Sequence, residues 1–311
     1  MTQLFHASAD GISAAVRILR DGGLVALPTE TVYGLAGDAR SDATVARIFD
    51  AKGRPRFNPL IVHVASRDSA ERYAVLGDPA RRLARAFWPG PLTMVLPLRP
   101  DAGLSPLVTA GMDSVAIRVP AHPVAQALLA GAAMPIAAPS ANPSGRISPT
   151  DATHVLGGLG GRIDAVLDGG ACGVGVESTI VGLTGHPTLL RPGGLASEDI
   201  ERVLGQPLAE HSGEINAPGQ LSSHYAPDAA VRLNATTRRD DEFWIGFGDC
   251  PGADINLSPK GDLVEAATTL FAALHTANAS ARAIAVAPVP DTGLGRAIND
   301  RLRRAAAPRA P

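Results

Sequence analysis

The shortness of its apolar runs constrains the fold of this chain more than any other feature of the sequence. The 311 residues include 33 glycines and 26 prolines, which interrupt the apolar runs. Glycine and proline favour turns and end helices and strands, so the pattern predicts many short strands joined by shaped loops. No run reaches the roughly 18 apolar residues that a membrane-spanning helix needs, which argues against a span.

Length and composition predict a globular protein of two domains. A chain of 311 residues exceeds a typical domain, so each of two domains can bury its own core. Apolar residues make up 45% and charged residues 19%, a balance too apolar for a disordered chain. The net charge of −2 lacks the strongly basic balance that is typical of nucleic-acid-binding proteins.

Cysteine usage and the N-terminal residues indicate a cytoplasmic protein. Cys172 and Cys250 lie far apart without Cys-x-x-Cys spacing, which argues against a disulfide framework or a thiolate zinc site. Residues 1–10 lack the charged start and the apolar core of a signal peptide. The eight histidines are scattered without HExxH spacing, so no metal ligands are assigned to protein side chains.

Residues 1–207 are predicted to form the larger domain, an α+β unit with a twisted, largely mixed sheet, because strands outnumber helices. Its first helix begins with Asp10 as N-cap and ends at the glycine pair 22–23. Another helix begins with Asp78 as its cap and Pro79 at its first position. A further helix is predicted at 42–51, and strands at 24–27, 60–64, 92–96, 115–119, 136–138, 165–167, 179–183 and 188–190.

The second part of the chain is predicted to hold a linker and a smaller domain. Between about Gly205 and Pro227 the apolar periodicity fades, which predicts a linker at 208–227. Residues 228–311 then show the strand–helix alternation of a small α/β domain. Its basic stretch from Arg296 to Arg309 is interpreted as a solvated helix face. The predicted elements are strands at 230–233, 243–247 and 283–287, a helix at 262–276 and a last helix from Leu294.

Two predicted strands each carry one polar residue in an otherwise apolar run. Arg118 opposes the β-branched face of 115–119, and His63 opposes the apolar face of 60–64. A lone polar residue on a strand commonly faces solvent, but wholly apolar surroundings indicate a strand covered on both faces. A charge directed into a covered site needs a partner, and a carboxylate or phosphate ligand is one candidate.

Two loops are candidates for phosphate binding. The segment 52–59 begins with Lys52, Arg54 and Arg56, a cluster that suits polyphosphate; a solvated helix end is the alternative. The segment 139–146 follows a buried strand, and its serine and asparagine side chains between prolines can coordinate phosphate or a metal-bound oxygen. A turn without function is the alternative for this second loop.

Common nucleotide-binding and hydrolase motifs are absent from the sequence. It contains no Walker-A GxxxxGK[ST], no GxGxxG entering a helix and no GxSxG elbow. Ordinary P-loop, Rossmann-type and hydrolase chemistry is therefore unsupported. The residues alone predict an α+β enzyme or binder for a small anionic, phosphorylated ligand.

Several short motifs nevertheless occur together in a recognisable order. They are PTETVYGL at 28–35, KGR at 52–54, NPL at 58–60, WPGPLT at 88–93, RVP at 118–120, APSAN at 138–142, GVEST at 175–179, LRPG at 190–193 and HYAP at 224–227. Over roughly residues 8–205 the chain resembles the YrdC-like L-threonylcarbamoyladenylate synthases. The linker and the second domain resemble the long, two-domain form of that family.

The resemblance implies a fold and a reaction. The fold is a YrdC-like twisted open mixed sheet around a large cavity, plus a small C-terminal Rossmann-like α/β domain. The reaction is a nucleotidyl transfer that joins L-threonine, bicarbonate and ATP into L-threonylcarbamoyladenylate and pyrophosphate, with Mg²⁺ on the phosphates. The product would pass to threonylcarbamoyl-transfer machinery that forms N6-threonylcarbamoyladenosine in tRNA. Direct tRNA binding stays open, and no membrane partner is expected.

The resemblance also implies roles for residues at the matching positions. Thr31, His63, Arg118, Ala138 and Ser178 would line the threonine pocket, with Arg118 pairing the carboxylate. Lys52, Arg54, Ser140 and Asn142 would form the catalytic group around the ATP phosphates. The residues implied in ATP binding are Arg54, Asn58, Ser114, Ser140, Ser148, Arg191 and Tyr225, the last closing over the nucleotide from the linker.

The chain departs from the family pattern at two places. Residues 220–223 read Gln-Leu-Ser-Ser, where one common version of the linker has basic residues, so weaker linker contacts to phosphate are expected. Ser114 stands where some relatives have threonine, and the hydroxyl is kept.

Two other functions compete with the synthase. One is a double-stranded RNA-binding module of the same fold, against which the slightly acidic charge argues. The other is a carbamoyltransferase that uses carbamoyl phosphate and normally carries zinc-finger or acylphosphatase-like modules. The two cysteines exclude the zinc-finger modules.

Overall fold

The computed structural model describes residues 1–211, 224–280 and 283–308, which form two β-sheets flanked by helices. Residues 212–223 of the predicted linker at 208–227 lie outside the described residues, so the departure at 220–223 cannot be placed. The predicted domain boundaries stay predictions. None of the described helices is both long and apolar enough to cross a lipid bilayer.

The larger sheet holds eleven strands among the described residues. They are β1 Gln3–His6, β2 Val25–Leu27, β3 Gly34–Asp38, β4 Ile61–His63, β5 Leu92–Pro97, β6 Ser114–Arg118, β7 Ile136–Ala137, β8 Ala165–Asp168, β9 Thr179–Gly182, β10 Thr188–Arg191 and β11 Ala209–Glu210. The helices of this part are α1 Ala9–Arg20, α2 Asp42–Lys52, α3 Arg67–Ala70, α4 Asp78–Phe87, α5 Pro106–Thr109, α6 Pro123–Ala132, α7 Ala152–Leu159 and α8 Ser197–Leu204.

The smaller sheet holds four strands among the described residues and is accompanied by two helices. The strands are β12 Ala230–Arg232, β13 Glu242–Gly246, β14 Ile255–Asn256 and β15 Ala283–Val286, and the helices are α9 Leu263–Ser280 and α10 Gly295–Ala306.

The two sheets differ in topology. The larger has the order β1-β8-β2-β3-β7-β4-β6-β5-β9-β10-β11 and mixes the two strand directions, since β4 and β6 are parallel whereas β5 and β6 are antiparallel. The smaller has the order β12-β15-β13-β14 and is parallel throughout. The predicted mixed sheet and the small α/β unit are confirmed.

The two faces of the larger sheet bury different side chains. Val115 and Ile117 of β6 belong to the main core, to which α2 and α4 also contribute. A second core contains apolar side chains of α1 and α6. Because alternate strand residues point to opposite faces, Ala116 and Arg118 face away from the main core, as the sequence predicts.

Both predicted N-caps are wrong by one or two residues. Ser8, not Asp10, caps α1, because its side chain accepts a hydrogen bond from the Gly11 amide at 3.1 Å. Asp10 lies inside the first turn, where an acidic side chain still favours the helix dipole. The N-cap of α4 is Gly77, and Asp78 is already helical.

Several elements were missed by the sequence analysis, among them β1, β3, α6 and α7. The sequence of β3 is Gly-Leu-Ala-Gly-Asp, which lacks the β-branched alternation that marks a strand. Gly37 is required there because an added Cβ would lie 2.8 Å from the Thr44 side chain. α6 is apolar on most of its surface, so it has no distinct helical stripe.

An apolar interface joins the parts of the chain that carry the two sheets. Val32 and Val176 from the larger part belong to one buried cluster with Phe271 of α9. Gly175 permits the close approach, because its φ is +77° and an added Cβ would lie 2.4 Å from the Cα of Thr268.

Replacing Gly175 by alanine is expected to push its loop away from α9, because the methyl group would meet backbone atoms. We expect stability to fall by about 1–3 kcal/mol, measured as a lower thermal unfolding temperature. Gly173→Ala is the matched control, since nothing lies within 4 Å of a Cβ added there. Equal unfolding temperatures for the two variants would contradict this interface.

Candidate active site

A small cavity opens where β4 and β6 end side by side. The register pairs His63 with Arg118, so both side chains reach the same end of the sheet. The cavity has a volume of about 40 Å³. The predicted site residues that line it are Thr31, Arg54, His63, Arg118, Ala138, Ser140, Ser178, Arg191 and Tyr225.

Arg118 anchors one half of the cavity. Its side chain is 4% exposed and donates from Nε to the Gly90 carbonyl at 3.2 Å, from Nη1 to Thr31 Oγ1 at 2.8 Å and from Nη2 to Glu30 Oε1 at 2.6 Å. Both terminal nitrogens keep a further N–H group, a fork that suits a second carboxylate.

Glu30 holds Arg118 in place and was not assigned a role from the sequence. Its Oε2 accepts hydrogen bonds from the amides of Ala121 and His122, so it ties Arg118 to the loop after β6. Burial alone raises the pKa of this carboxyl, but the charge and hydrogen bond of Arg118 hold it below its usual value. The sequence feature that could have identified Glu30 is its position inside the PTETVYGL motif at 28–35.

His63 faces the same half of the cavity as a neutral imidazole. Burial, followed by the nearby charge of Arg118, lowers its pKa to about 3. Its Nδ1 lies 3.3 Å from the Ile61 carbonyl. If Nδ1 carries the proton and donates there, Nε2 is left as an acceptor.

Ser178 connects the two halves of the cavity. Its Oγ lies 2.7 Å from Thr93 Oγ1, and Arg191 Nη2 donates to its carbonyl at 2.8 Å and to its Oγ at 3.3 Å. Arg191 is 4% exposed, so another buried positive charge lies behind the serine.

Arg54 brings positive charge to the other half of the cavity, whereas the predicted catalytic residues Lys52 and Asn142 are not among the lining residues. Lys52 is 2% exposed and donates to the carbonyls of Ser140 and Asn142 at 2.6 and 2.5 Å. Arg54 is 8% exposed and donates from Nε to the Asn58 carbonyl at 3.2 Å and from Nη2 to the Pro59 carbonyl at 2.9 Å. The side chains of both therefore bond to backbone carbonyls, and no carboxylate among the described residues pairs with either.

Burial is the main cause of the pKa shifts of these two cations. Burial, followed by the charge of Arg54, lowers the pKa of Lys52 well below its usual value, and the charge of Glu177 opposes this shift. Burial, followed by the charge of Arg191, lowers the pKa of Arg54 to about 10. Removal from water thus makes the charged form of both side chains costly.

Buried polar atoms on nearby residues have no hydrogen-bond partner among the described residues. They include both side-chain polar atoms of Asn58, Oδ1 of Asn142 and Nδ1 of His224. A buried polar atom without a partner costs about 1–3 kcal/mol, so these atoms are available to bind a polar ligand or a water. His224 was not assigned from the sequence, although it lies in the HYAP motif.

The remaining predicted ATP residues lie outside the cavity lining. Ser148 is fully buried, and its Oγ donates to Glu177 Oε1 at 2.5 Å. Ser114 begins β6, about 13 Å from Arg118 at about 3.3 Å per residue, although it shares the face of Ala116 and Arg118. The roles of Ser114 and Ser148 stay predictions.

Tyr225 lines the cavity, and its implied role of covering the nucleotide stays a prediction. It is 1% exposed and has a left-handed backbone with φ of 59°, a strained conformation for a bulky residue. A cavity of about 40 Å³ has room for a few waters, each needing about 10–15 Å³.

No group of three or more His, Cys, Asp or Glu side chains among the described residues could hold a metal ion. Glu177 is the acidic residue in the cavity lining, and it already accepts hydrogen bonds from Ser148 and Arg301. We therefore assign no protein carboxylate to a metal ion.

Two family models match the chain in succession. The model for Sua5, YciO and YrdC, described as telomere recombination, matches residues 17–193. The model described as threonylcarbamoyl-AMP synthase, C-terminal domain, matches residues 195–307.

Curated relatives and a solved structure match nearly the full length. The threonylcarbamoyl-AMP synthase of Bacillus subtilis (strain 168) is 40% identical over 95% of this chain and 92% of its own. That of Pyrococcus abyssi (strain GE5 / Orsay) is 41% identical over 94% of this chain and 93% of its own. The crystal structure of P. abyssi Sua5 complexed with L-threonine has a TM-score of 0.90 at 39% identity, covering 98% of this chain and 97% of that one.

The buried neutral His63 should make the protein less stable in acid. Its folded pKa of about 3 lies below its usual value of 6.5, so below that pH the unfolded chain binds a proton that the folded chain does not. The stability that the neutral His63 contributes is complete above its usual pKa of 6.5. It is lost as the pH falls towards the folded pKa of about 3. The expected loss is about 2 kcal/mol between about pH 6.5 and about pH 4.5.

His63→Gln removes this titration, so its thermal unfolding temperature should fall less over that pH range than that of the unmodified protein. His6→Gln, at an exposed position of β1, is the control and should keep the full acid dependence. Identical acid dependence in all three proteins would contradict a buried neutral His63.

Proposed function

The chain belongs to the Sua5/YrdC family of threonylcarbamoyl-AMP synthases, as its motifs predict, and we propose how its cavity holds the substrates of that reaction. The protein joins L-threonine, bicarbonate and ATP into threonylcarbamoyl-AMP with release of pyrophosphate. The proposal assigns threonine to the half around Arg118 and the ATP phosphates to the half around Arg54.

The observation that carries the proposal is buried positive charge without carboxylate partners. Lys52 and Arg54 are almost fully buried, and their side chains bond to backbone carbonyls. A buried charge is costly unless an opposite charge or a dense set of hydrogen bonds compensates it. A triphosphate supplies that compensation, and guanidinium groups bind phosphate oxygens in pairs.

The threonine half is suited to an amino acid. The free N–H groups of Arg118 would take the carboxylate, while Glu30 holds the guanidinium in place. Thr31 and Ser178 offer hydroxyl groups to the polar atoms of threonine, and the neutral His63 offers an acceptor without adding a second positive charge.

The nucleotide half combines a phosphate loop with an apolar surface. Lys52 holds the 139–146 loop through two of its carbonyls, and so presents Ser140 to the cavity. An apolar cluster next to this half would receive the adenine, with Asn58 and Ser114 near its sugar or base. The cluster is Ile61, Val95, Ala116, Ile180 and Leu190.

The reaction proceeds by two bond-forming steps. The neutral amino nitrogen of threonine attacks the carbon of bicarbonate, water leaves, and a carbamate forms. A carbamate oxygen then attacks the α-phosphorus of ATP, and pyrophosphate leaves with the electrons of the broken P–O bond. Positioning and charge neutralisation carry such a reaction without a covalent enzyme intermediate.

We propose that Mg²⁺ enters with ATP, bound to phosphate oxygens and water. This agrees with the usual Mg²⁺ chemistry at nucleotide sites, where the ion keeps several waters and neutralises phosphate charge. Ser140, whose hydroxyl belongs to a residue that lines the cavity, would be available to hold the ion or its waters. No step is assigned to the ion beyond charge neutralisation.

A cytoplasmic location and a downstream transferase also belong to the proposal. Cys172 and Cys250 are free cysteines, which agrees with a reducing compartment. An activated carbamate reacts with water, so an enzyme that transfers it to its acceptor must follow. We propose that this acceptor is tRNA.

The unmodified protein is expected to release pyrophosphate only when threonine, bicarbonate and ATP are all present. The assay is pyrophosphate release in carbonate-depleted buffer, with the adenylate identified by mass spectrometry. Turnover of ATP without threonine would contradict the proposal. Tight, salt-dependent RNA binding without turnover would favour the RNA-binding module instead.

Arg118→Ala should lower kcat/KM for threonine by the equivalent of about 2–5 kcal/mol, because a buried charge pair is broken. The measurement is the threonine dependence of pyrophosphate release. Arg99→Ala removes an exposed ion pair with Asp101 and is the control. Unchanged threonine affinity in Arg118→Ala would show that the pocket is wrongly assigned.

A further inference from the structure

Arg301 of α10 is the largest of the fully buried side chains among the described residues. The sequence analysis placed it on a solvated helix face, and that interpretation is wrong for this residue. Its neighbour Arg303 on the same helix is exposed. Arg301 therefore points from the C-terminal part of the chain into the protein, towards the part that carries the cavity.

The guanidinium of Arg301 contacts two segments that carry predicted site residues. Nε donates to Glu177 Oε2 at 2.9 Å, and Nη1 donates to the Pro192 carbonyl at 2.6 Å and to Asp300 Oδ2 at 3.0 Å. Glu177 directly precedes Ser178, and Pro192 directly follows Arg191.

Glu177 transmits the contact to the nucleotide half. Its second oxygen, Oε1, accepts the hydrogen bond from Ser148, and its side chain lines the cavity. Burial alone raises the pKa of Glu177, but the charges of Arg301 and Arg191 hold it below its usual value. The carboxylate thus stays ionised and fixed between Arg301 and Ser148.

A third contact of α10 reaches the HYAP segment. The guanidinium carbon of Arg301 lies 5.3 Å from the ring centre of Tyr225, within the range of a cation–π interaction. The amide of His224 donates to the Arg304 carbonyl at 3.3 Å, and the amide of Ala226 donates to the Gly145 carbonyl at 2.8 Å. The strained tyrosine is therefore held between α10 and the 139–146 loop.

One donor group of Arg301 remains unused. Nη2 is buried and has no hydrogen-bond partner among the described residues. An arginine buried only to stabilise an interface would be expected to satisfy its donors there. The unused group lies beside residues that were assigned to ATP on other grounds.

We propose that Arg301 is a positioning residue for the nucleotide half of the cavity, acting through Glu177 and Tyr225. The inference rests on the proposed function, because it concerns ATP binding at the same site. It assigns α10 a direct part in that site: without Arg301, Ser148 and Tyr225 lose the group that orients them. Arg118, Glu30 and His63 have no hydrogen bond to Arg301, and the hydroxyl of Ser178 is held by Thr93 and Arg191, so the threonine half should be little affected.

The test compares the KM for ATP with the KM for threonine in Arg301→Ala and Arg301→Lys. Pyrophosphate release is measured while one substrate is varied and the others are saturating. In Arg301→Ala we expect the KM for ATP to rise about tenfold or more, with the KM for threonine within about twofold of the unmodified value. Arg301→Lys keeps the positive charge but loses the planar set of N–H donors. Its KM for ATP should therefore lie between those of the unmodified protein and Arg301→Ala.

Arg303→Ala is the matched control, since Arg303 is an exposed arginine of the same helix. It should leave both KM values unchanged. If Arg301→Ala does not fold because Glu177 is left unpaired, the double variant Arg301→Gln with Glu177→Gln removes both charges and is measured in its place. The same selective rise in the KM for ATP is expected.

Two outcomes would overturn the inference. In the first, the kcat of Arg301→Ala falls in proportion to the fraction of folded protein while its KM for ATP stays normal. In the second, its KM values for ATP and threonine rise equally. Either would make Arg301 a purely structural residue. Failure of the proposed function is distinct, because the unmodified protein would then release no pyrophosphate at all.

Discussion

The structure depends on positive charge that is buried without a carboxylate to balance it. Lys52 and Arg54 lie almost fully out of solvent, and the carbonyls that receive their hydrogen bonds carry no net charge. Burying a charge in this way costs stability unless an anion completes the site. Two other buried arginines do have acidic partners, since Arg118 pairs with Glu30 and Arg301 pairs with Glu177. Because Lys52 and Arg54 lack such partners among the described residues, the region around them is the one we assign to the polyphosphate.

The fold supplies this charge through ordinary local geometry. Parallel pairing of β4 with β6 aligns His63 with Arg118, and strand alternation turns both away from the main core. The nucleotide half is less regular, because it is built from loops and closed by His224 and Tyr225 of the predicted linker. Such a site needs support from outside the sheet, and α10 gives it through Arg301. Arg301 thus connects the second part of the chain to the candidate site, beside the apolar interface that joins the two parts.

The sequence predicted what depends on local pattern and missed what depends on long-range contacts. Alternation in β6 was enough to predict that Arg118 faces away from the apolar face, and the motifs led to the family. The ion pair of Arg301 with Glu177 joins positions 124 residues apart, so an amphipathic helix pattern could only suggest a solvated arginine. β3 was missed because its sequence, Gly-Leu-Ala-Gly-Asp, has a low strand propensity. Its Gly37 is needed for close packing against Thr44.

The central claim is that the uncompensated cations receive a triphosphate while Arg118 receives an amino-acid carboxylate. The most direct measurement is a crystal structure of the protein with L-threonine and a non-hydrolysable ATP analogue. The account predicts phosphate oxygens within hydrogen-bond distance of Arg54 and Ser140, and the threonine carboxylate on the guanidinium of Arg118. Phosphates bound elsewhere, with Lys52 and Arg54 still bonded only to backbone carbonyls, would contradict it.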